Sequence, residues 1–489
     1  MSGETMTIAA RLADKIVGFK TEQVTPRALT WAKAAIIDTI GVTLAGVVEP
    51  CATILMETPG VADAPGPSLI FGTERRTSML DATLINGTAS HALDYDDVNG
   101  TMGGHPSVPL LPPLFALSEM KGASGMDLIT AFVIGYEVEV RLARGVHMHH
   151  YNKGWHPTAT LGTFGAAAAA CRLMGLDADK TTRAIAIAAS LASGLKANFG
   201  TMTKPLHVGH CARNGLFAAL IAAKGFQSNP AAFEHKQGFL DVFNGKGTYD
   251  AERIFAGWGA PLEIEDTLNG LKQFPCCGST HPAIAMMLKL VKEEGLKPED
   301  AQKVEILTHP NRLPHTDNPD PKGPLGAKFS IQYAVARALA DGAVRLAHFE
   351  GDAHADPRVR KVMAVTTAGP HPEMPSDARH QWGAEVIVTT TGGKTVSRRI
   401  ENMVCRGPDD AMSSEEMFEK FEDCAGRSLA HDQIAPLYER LDTFECVKDM
   451  NQVSRLLQLR RLPGQRVAKP QLTSASDAAA GRRETQWVP

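Results

Sequence analysis

The chain has 489 residues, of which 44% are hydrophobic and 21% charged, so it is too long for one small module and too apolar to be disordered. Its formal net charge of −4 excludes a general attraction for a polyanion such as a nucleic acid. The charge is uneven, because seven basic and two acidic residues from position 455 onward give that tail a charge of +5.

The first 268 residues have the pattern of an all-helical domain. Thr25 is typical of an N-cap and Pro26 of the first helical position, and an apolar stripe with helical spacing follows them. The many Ala and Gly residues favour close contacts between helices. The same kind of pattern predicts further helices over residues 79–97, 108–120, 126–143, 158–173, 181–195 and 205–223.

The pattern changes after residue 268, and we predict a smaller α+β domain over residues 269–404. Polar and apolar residues alternate over 303–308, as in a half-buried strand. Helices are predicted over 282–294 and 330–339. Three more strands are predicted over 361–367, 384–391 and 394–400, the last two joined by a hairpin at Gly392-Gly393.

Helical spacing returns in residues 405–461, which we expect to pack back on the first domain. Ser413 and Glu416 have the spacing of a capping box at the start of these helices. Residues 462–489 are dominated by Pro, Gly, Ser and Ala and are predicted to be disordered. The expected fold class is therefore mainly α, with a large all-helical domain and a smaller α+β lid domain.

Several features indicate a cytoplasmic protein without a membrane span. The first 15 residues lack the apolar region of a secretory signal, and the uncharged runs 158–171 and 184–195 are shorter than the roughly 20 residues that cross a bilayer. Eight cysteines form no CxxC pair, which argues against a zinc ribbon or a disulfide framework. The common nucleotide, serine hydrolase and zincin motifs are also missing from the sequence.

One candidate for chemistry is the segment HALDYDD, which begins at His91, together with the glycine-rich stretch that follows it. Asp94 and Asp97 are predicted to share a helix face, and the glycines let the chain return His105 to that helix end. A carboxylate beside an imidazole orients the ring and favours its protonated form, which suits proton transfer. The alternative is a helix cap followed by a loop histidine.

A second candidate is His156, which lies between Trp155 and Pro157 at the start of a predicted helix. A helix N-terminus lowers the pKa of a histidine, so His156 suits the role of a neutral base or acceptor. A packed Trp155 beside a solvent-facing histidine is an equally good interpretation. The nearby His147, His149 and His150 look like a metal-binding tract, but such a run is more typical of a solvated loop.

Two further segments supply positive charge. Thr203 is predicted to cap a helix that begins near Pro205, and Lys204 beside that N-terminus suits a carboxylate ligand; His207 follows on the same helix. Lys272 lies at the change of domain, where ligands bind preferentially. The neighbouring Cys276-Cys277 pair is better explained by a small-residue turn than by a nucleophile or a disulfide.

Four segments, in their order and spacing, resemble the MmgE/PrpD family, and the resemblance covers roughly residues 5–450. The segments are HALDYDD with GHPS, GWHPTATLGTFGAAAA, TKPLHVGHCARNG and LKQFPCCGSTHPAI. The resemblance implies a helical domain with a smaller α+β domain, a homodimer, and action on small di- or tricarboxylates without a metal or an organic cofactor. It implies site positions at Asp94, His105, His156, Lys204, Lys272 and Tyr333. Several members of the family have a threonine where this chain has Val98, and Thr101 is the candidate replacement for its hydroxyl.

The leading hypothesis is a lyase that removes water or carbon dioxide from a polycarboxylate such as 2-methylcitrate or cis-aconitate. His105, oriented by Asp94, would transfer the proton, His156 would act across the substrate, and Lys204 and Lys272 would bind carboxylates, with Thr101, His207 and Tyr333 as further substrate contacts. The alternatives are an epimerase that uses the same two histidines, a metal-dependent hydro-lyase and a non-catalytic carboxylate binder. No nucleic-acid or membrane partner is expected.

Overall fold

The computed structural model describes residues 6–375, 381–403 and 405–460. The predicted disordered tail over residues 462–489 lies outside the described residues. Within the described chain, one large hydrophobic core joins residues from the first 271 positions with residues after position 411, and a second core is built from residues 274–396. The predicted fold class, a large helical part with a smaller α+β part, is confirmed.

The first part of the chain folds into helices joined by short turns. Thr25 accepts the N–H of Ala28 and Pro26 is the first helical residue of α2, as predicted. The helices are α1 (Ile8–Gly18), α2 (Pro26–Gly46), α3 (Pro50–Glu57), α4 (Met79–His91), α5 (Ser107–Lys121), α6 (Gly125–Asn152), α7 (Pro157–Thr160), α8 (Gly162–Met174), α9 (Ala178–Leu191) and α10 (Thr203–Ala223). Four two-residue strands form two antiparallel pairs, β1 (Ser68–Leu69) with β2 (Arg76–Thr77) and β3 (Val98–Asn99) with β4 (Asn269–Gly270).

Small residues bring α10 close to both α4 and α8. A Cβ atom on Gly87 of α4 would lie 2.8 Å from the Cα of Gly209 on α10, and one on Gly215 would lie 2.5 Å from the Cβ of Ala166 on α8. Larger side chains at these positions would force the helices apart. The contact between α4 and α10 matters for function, because it brings the start of α10 to the end of α4.

The smaller part places helices against a four-stranded sheet. Its helices are α11 (His281–Glu294), α12 (Pro324–Lys328), α13 (Ile331–Asp341) and α14 (Pro357–Ala364), and its strands are β5 (Ala301–Thr308), β6 (Thr366–Pro370), β7 (Ala384–Thr390) and β8 (Thr395–Ile400). The strand order is β6-β5-β7-β8, with β6 parallel to β5 and the other pairs antiparallel. The predicted hairpin at Gly392-Gly393 joins β7 to β8 and is confirmed.

The prediction of a strand over residues 361–367 is wrong for most of its length. Asp356 accepts the N–H of Arg358 and precedes Pro357, so a helix begins there and continues to Ala364. Val359 and Val362 are buried three residues apart, as on one helix face. The strand β6 begins only at Thr366.

Three C-terminal helices complete the large core: α15 (Ser414–Ala425), α16 (His431–Asp442) and α17 (Asn451–Leu457). The capping box predicted for Ser413 and Glu416 is present. From α15, Lys420 pairs with Asp38 of α2 at 2.5 Å and donates to the carbonyls of Tyr95 at 3.0 Å and Lys272 at 2.6 Å. Lys420 therefore joins α2 to the two segments that carry the candidate site.

We expect Lys420→Met to destabilise the protein by about 3–5 kcal/mol, because it leaves the buried Asp38 carboxylate without its ion-pair partner. Urea unfolding at pH 7 measures this loss. The exposed Lys292→Met is the control and should change the free energy of unfolding by less than about 0.5 kcal/mol. Equal stability of the two variants would contradict the structural role of Lys420.

Of the described helices, α2 is long and apolar enough to cross a membrane by length and composition alone. It lies near the N-terminus, and 78% of its apolar window is buried inside the structure. Core helices of soluble proteins meet the same criterion.

Candidate active site

The turn after α4 forms the centre of the site. Because α4 ends at His91, Asp94 and Asp97 do not share a helix face, and that prediction is wrong. Asp94 adopts a left-handed conformation with φ of 53°, which aspartate tolerates better than most residues. The chain then reverses through Gly103, whose φ is 63°, and returns His105 to the turn.

Asp96 lies between two histidine rings. Its Oδ2 atom is 2.9 Å from Nδ1 of His91 and 3.0 Å from Nδ1 of His105, which also lies 2.7 Å from the carbonyl oxygen of Asp97. These neighbours are acceptors, so Nδ1 of each ring carries the hydrogen and donates it. The Nε2 atom of His105 is thereby left facing Asp94, 3.6 Å from Oδ1. The shorter carboxylate contact of His105 is thus with Asp96, although the sequence suggested Asp94.

Two lysines hold the Asp94 carboxylate. Lys204, in the first turn of α10, lies 2.9 Å from Oδ1, and Lys272 lies 3.1 Å from the same oxygen and donates to the main-chain carbonyl of Asp94. Partial burial opposes ionisation of Asp94, but the two ammonium groups hold its pKa well below the usual range. Burial likewise opposes the charge on Lys272, and the Asp94 and Asp96 carboxylates nevertheless raise its pKa.

The predicted helix cap at Thr203 is wrong in detail. Thr203 is the first helical residue of α10, and its N–H donates to the hydroxyl of Thr201 at 3.2 Å. The helix therefore begins two residues before Pro205. This start places Lys204 and His207 about one turn apart, on the side of α10 that faces the end of α4.

The imidazole ring of His156 lies beside that of His91. Its centroid is 5.8 Å from that of His91, and its Nδ1 atom is 3.3 Å from Nδ1 of His207. Burial, followed by the nearby His91 and Lys204, lowers the pKa of His156 well below its usual value, so the ring is neutral at pH 7. Its Nε2 atom is buried and has no hydrogen-bond partner among the described residues.

The structure does not bring every predicted residue to this cluster. Tyr333 lies in the core of the smaller part, where its hydroxyl accepts from Arg337 at 2.9 Å and donates to the carbonyl of His348. Thr101 lies at the tip of the turn before His105, and no hydrogen bond joins its hydroxyl to the cluster within the described chain. Burial raises the pKa of the Cys276 thiol to about 12, which does not suit a nucleophile.

The histidines of the predicted metal tract do not converge. His147 has φ of 55° and lies 3.3 Å from Arg253, whereas His149 contacts the carbonyl of Asn244 and His150 contacts the Thr160 hydroxyl. A different group has the spacing of metal ligands: His91, Asp94, Asp96 and His105 each offer an atom within 4.8 Å of the others. Two ammonium groups already lie on Asp94, and their charge disfavours a divalent cation there.

We therefore expect that dialysis against a chelator leaves the turnover number unchanged, as the resemblance also implies. The measurement is the rate before and after chelation, with the metal content of the dialysed protein determined in parallel. Loss of activity that a divalent cation restores would instead make the His91, Asp94, Asp96 and His105 cluster a metal site.

Sequence reasoning missed three residues of the site. His91 and Asp96 both belong to the HALDYDD string, and their five-residue spacing gave no reason to pair them. Lys328, on α12 of the smaller part, donates to the carbonyl of Leu93 at 3.3 Å. No local motif indicates Lys328, because its position depends on how the smaller part contacts the turn after α4.

Comparison with known proteins identifies the family of the chain. The MmgE/PrpD N-terminal domain matches residues 10–252 and the MmgE/PrpD C-terminal domain matches residues 274–441. Cis-aconitate decarboxylase of Homo sapiens is 30% identical over 466 residues, covering 92% of this chain and 94% of that protein. Cis-aconitate decarboxylase of Aspergillus terreus is 25% identical over 475 residues, covering 92% and 96%. The 2-methylcitrate dehydratase of Cupriavidus necator is 25% identical over 374 residues, covering 71% and 74%.

The two domain matches together span most of the chain, and the human relative aligns over nearly its full length. The decarboxylase and the dehydratase are both lyases. The family resemblance predicted from the four strings is thereby confirmed: the chain belongs to the MmgE/PrpD family and is a lyase of that family's type.

Proposed function

We propose that the protein decarboxylates cis-aconitate without a metal or an organic cofactor. The observation that carries the proposal is the Asp94 turn, where two lysine ammonium groups and the Nε2 atom of His105 all face the same oxygen of Asp94. The two cis-aconitate decarboxylases named above each cover 92% of this chain, whereas the 2-methylcitrate dehydratase covers 71%. This difference favours decarboxylation over dehydration.

Lys204 and Lys272 would bind the substrate carboxylates. At 4 Å and an effective dielectric constant near 20, one ammonium group attracts one carboxylate by about 4 kcal/mol. The Asp94 side chain is 33% exposed, whereas that of Lys272 is 5% exposed, so the cluster faces solvent at Asp94. An incoming carboxylate can therefore approach both lysines from the side of Asp94.

The reaction needs a stabilised electron pair and one proton. When the carbon–carbon bond to the departing carboxylate breaks, carbon dioxide leaves and the bonding pair remains on the substrate carbon. The pair is delocalised over the double bond towards a remaining carboxylate, whose developing charge the lysines stabilise. A proton then adds to carbon and gives a five-carbon unsaturated dicarboxylate.

His105 is the proposed donor of that proton. Asp96 and the carbonyl of Asp97 hold its Nδ1 hydrogen, so Nε2 is the atom available to the substrate. His156 is neutral and buried, which suits an acceptor or a positioning contact across the substrate. His207, 3.3 Å from His156, supports the orientation of that ring.

A panel of substrates tests the reaction type. Purified protein is incubated in deuterated water with cis-aconitate, 2-methylcitrate or iminodisuccinate, and the products are identified by NMR. We expect carbon dioxide and a five-carbon product from cis-aconitate. If 2-methylcitrate loses water and the other two substrates do not react, the protein is a dehydratase. If deuterium enters a stereocentre without loss of water or carbon dioxide, the protein is an epimerase. Binding without turnover of any of the three would support a non-catalytic carboxylate binder.

We infer that the protein is a cytoplasmic homodimer. Support for the dimer comes from the family resemblance, and support for the location comes from the cysteine pattern. Light scattering after size-exclusion chromatography tests the first inference, and a fluorescent fusion observed in cells tests the second. A monomeric mass or a membrane-bound fusion would overturn the respective inference.

A further inference from the structure

A cavity outside the candidate active site lies between α6 and residues 253–266. Its volume is about 300 Å³, at the lower end of the range for small-molecule sites in proteins. Arg141 and Arg144 of α6 line it, together with Arg253, Glu263 and Asp266. None of its lining residues belongs to the candidate active site.

Buried ion pairs and hydrogen bonds fix the wall of this cavity. Arg141, whose side chain is 5% exposed, donates to the carbonyls of Ala256 at 2.5 Å and Gly257 at 2.7 Å. Its Nε atom lies 2.8 Å from Glu137 and 2.7 Å from Glu263. Because these contacts are already made within the chain, the wall does not have to be ordered when a ligand binds.

Each oxygen of the two carboxylates that line the cavity already has a donor. Arg144 donates from Nε to Oε1 of Glu263 at 2.6 Å, and from Nη2 to Oε2 of Glu263 at 2.7 Å and Oδ2 of Asp266 at 3.0 Å. The other oxygen of Asp266 accepts the N–H of Leu268 at 3.0 Å. Both carboxylates are therefore paired with arginine, and neither is left to attract a cation.

Arginine donors remain open at the same place. Among the described residues, the Nη1 atom of Arg144 has no hydrogen-bond partner. Arg253 donates from Nη1 to Nδ1 of His147 at 3.3 Å, and no carboxylate of the described chain lies within ion-pair distance of it. A histidine nitrogen that accepts a hydrogen bond is neutral and brings no negative charge. An oxyanion would supply both the acceptors and the charge.

We propose that this cavity binds a small organic oxyanion, a carboxylate or a phosphate ester, that has a compact apolar body. The anionic group would accept hydrogen bonds from Arg144 and Arg253, because the guanidinium fork matches the geometry of carboxylate and phosphate oxygens. The apolar body would contact Ala256, Ala260 and Pro261, which line the same cavity.

Calorimetry on the full chain tests this site with four probes. Phenyl phosphate and benzoate have both an anionic group and an apolar body, whereas inorganic phosphate lacks the apolar body and phenol lacks the charge. We expect phenyl phosphate or benzoate to bind at least about tenfold more tightly than inorganic phosphate and phenol, because only these two probes make both contacts. The tighter of the two identifies the class of oxyanion. If neither binds more tightly than inorganic phosphate, the proposal fails.

Substitutions locate the bound probe. Arg253→Met should weaken the tighter probe by about tenfold to a hundredfold, as for the loss of one hydrogen bond to a charged group. Ala256→Phe, which fills the apolar side of the cavity, should weaken it by at least about tenfold. Both positions are exposed, so we expect both variants to fold. Arg440→Met is the control, because Arg440 is exposed on α16, and its affinity should equal that of the wild type.

Lys204→Met separates this cavity from the candidate active site. The Lys204 ammonium group lies on Asp94 and does not line the cavity, so this variant should retain the binding that Arg253→Met weakens. If Arg253→Met binds the probe as tightly as Arg440→Met, the proposal is wrong. Loss of binding in Lys204→Met without an effect of Arg253→Met would place the probe in the active site and would also overturn it.

Discussion

His105→Gln is expected to lower kcat for cis-aconitate by about 10²-fold or more while the protein stays folded. Glutamine keeps a polar side chain of similar length but cannot deliver a proton to carbon. The ring it replaces has its Nδ1 hydrogen fixed by Asp96 and the carbonyl of Asp97, so only Nε2 faces Asp94 and the lysines. Steady-state kinetics measures the loss, and circular dichroism with thermal unfolding shows whether the fold is intact.

His431→Gln is the matched control for this substitution. His431 lies on α16 with its side chain 88% exposed, so the same chemical change there should leave kcat and KM unchanged. A folded His105→Gln variant with near-native kcat would show that another group transfers the proton. His91, whose Nε2 atom is buried without a described partner, would then be examined next.

Lys204→Met and Lys272→Met are each expected to lower kcat/KM by about 10²–10³-fold. Each removes one ammonium group that would attract a substrate carboxylate by about 4 kcal/mol at 4 Å. Lys272→Met also leaves the Asp94 carbonyl without its donor, so we expect this variant to lose more stability than Lys204→Met. Kinetics and urea unfolding of the same preparations separate the two effects.

Lys224→Met is the control, because Lys224 is exposed at the other end of α10 from Lys204. Its kcat/KM should equal that of the wild type. If Lys204→Met retains kcat/KM within threefold of the control, Lys204 serves only to neutralise Asp94. The assignment of carboxylate binding to Lys204 would then be withdrawn.

The fold could be predicted where local chemistry determines an element. Thr25 with Pro26, Ser413 with Glu416, and Gly392-Gly393 each specify a helix start or a turn through their own side chains or backbone freedom, and each is present. Residues 361–367 were mispredicted as a strand, because the cap at Asp356 starts a helix that extends through the first half of them.

The site was predicted in its composition more than in its contacts. His105, Lys204 and Lys272 were identified from the sequence, and the structure places all three at Asp94. The partner of His105 could not be predicted, because it depends on where α4 ends: a stop at His91 turns Asp96 towards the ring. Lys328 could not be predicted either, because only the contact between the two parts of the chain brings it there.

The proposed decarboxylation is tested most directly by ¹³C and ¹H NMR of cis-aconitate incubated with the chelator-treated protein in deuterated water. We expect one carbon dioxide and one five-carbon dicarboxylate for each cis-aconitate consumed, with one solvent deuterium bound to carbon in the product. Unchanged cis-aconitate after incubation with the folded protein would contradict the proposed decarboxylation.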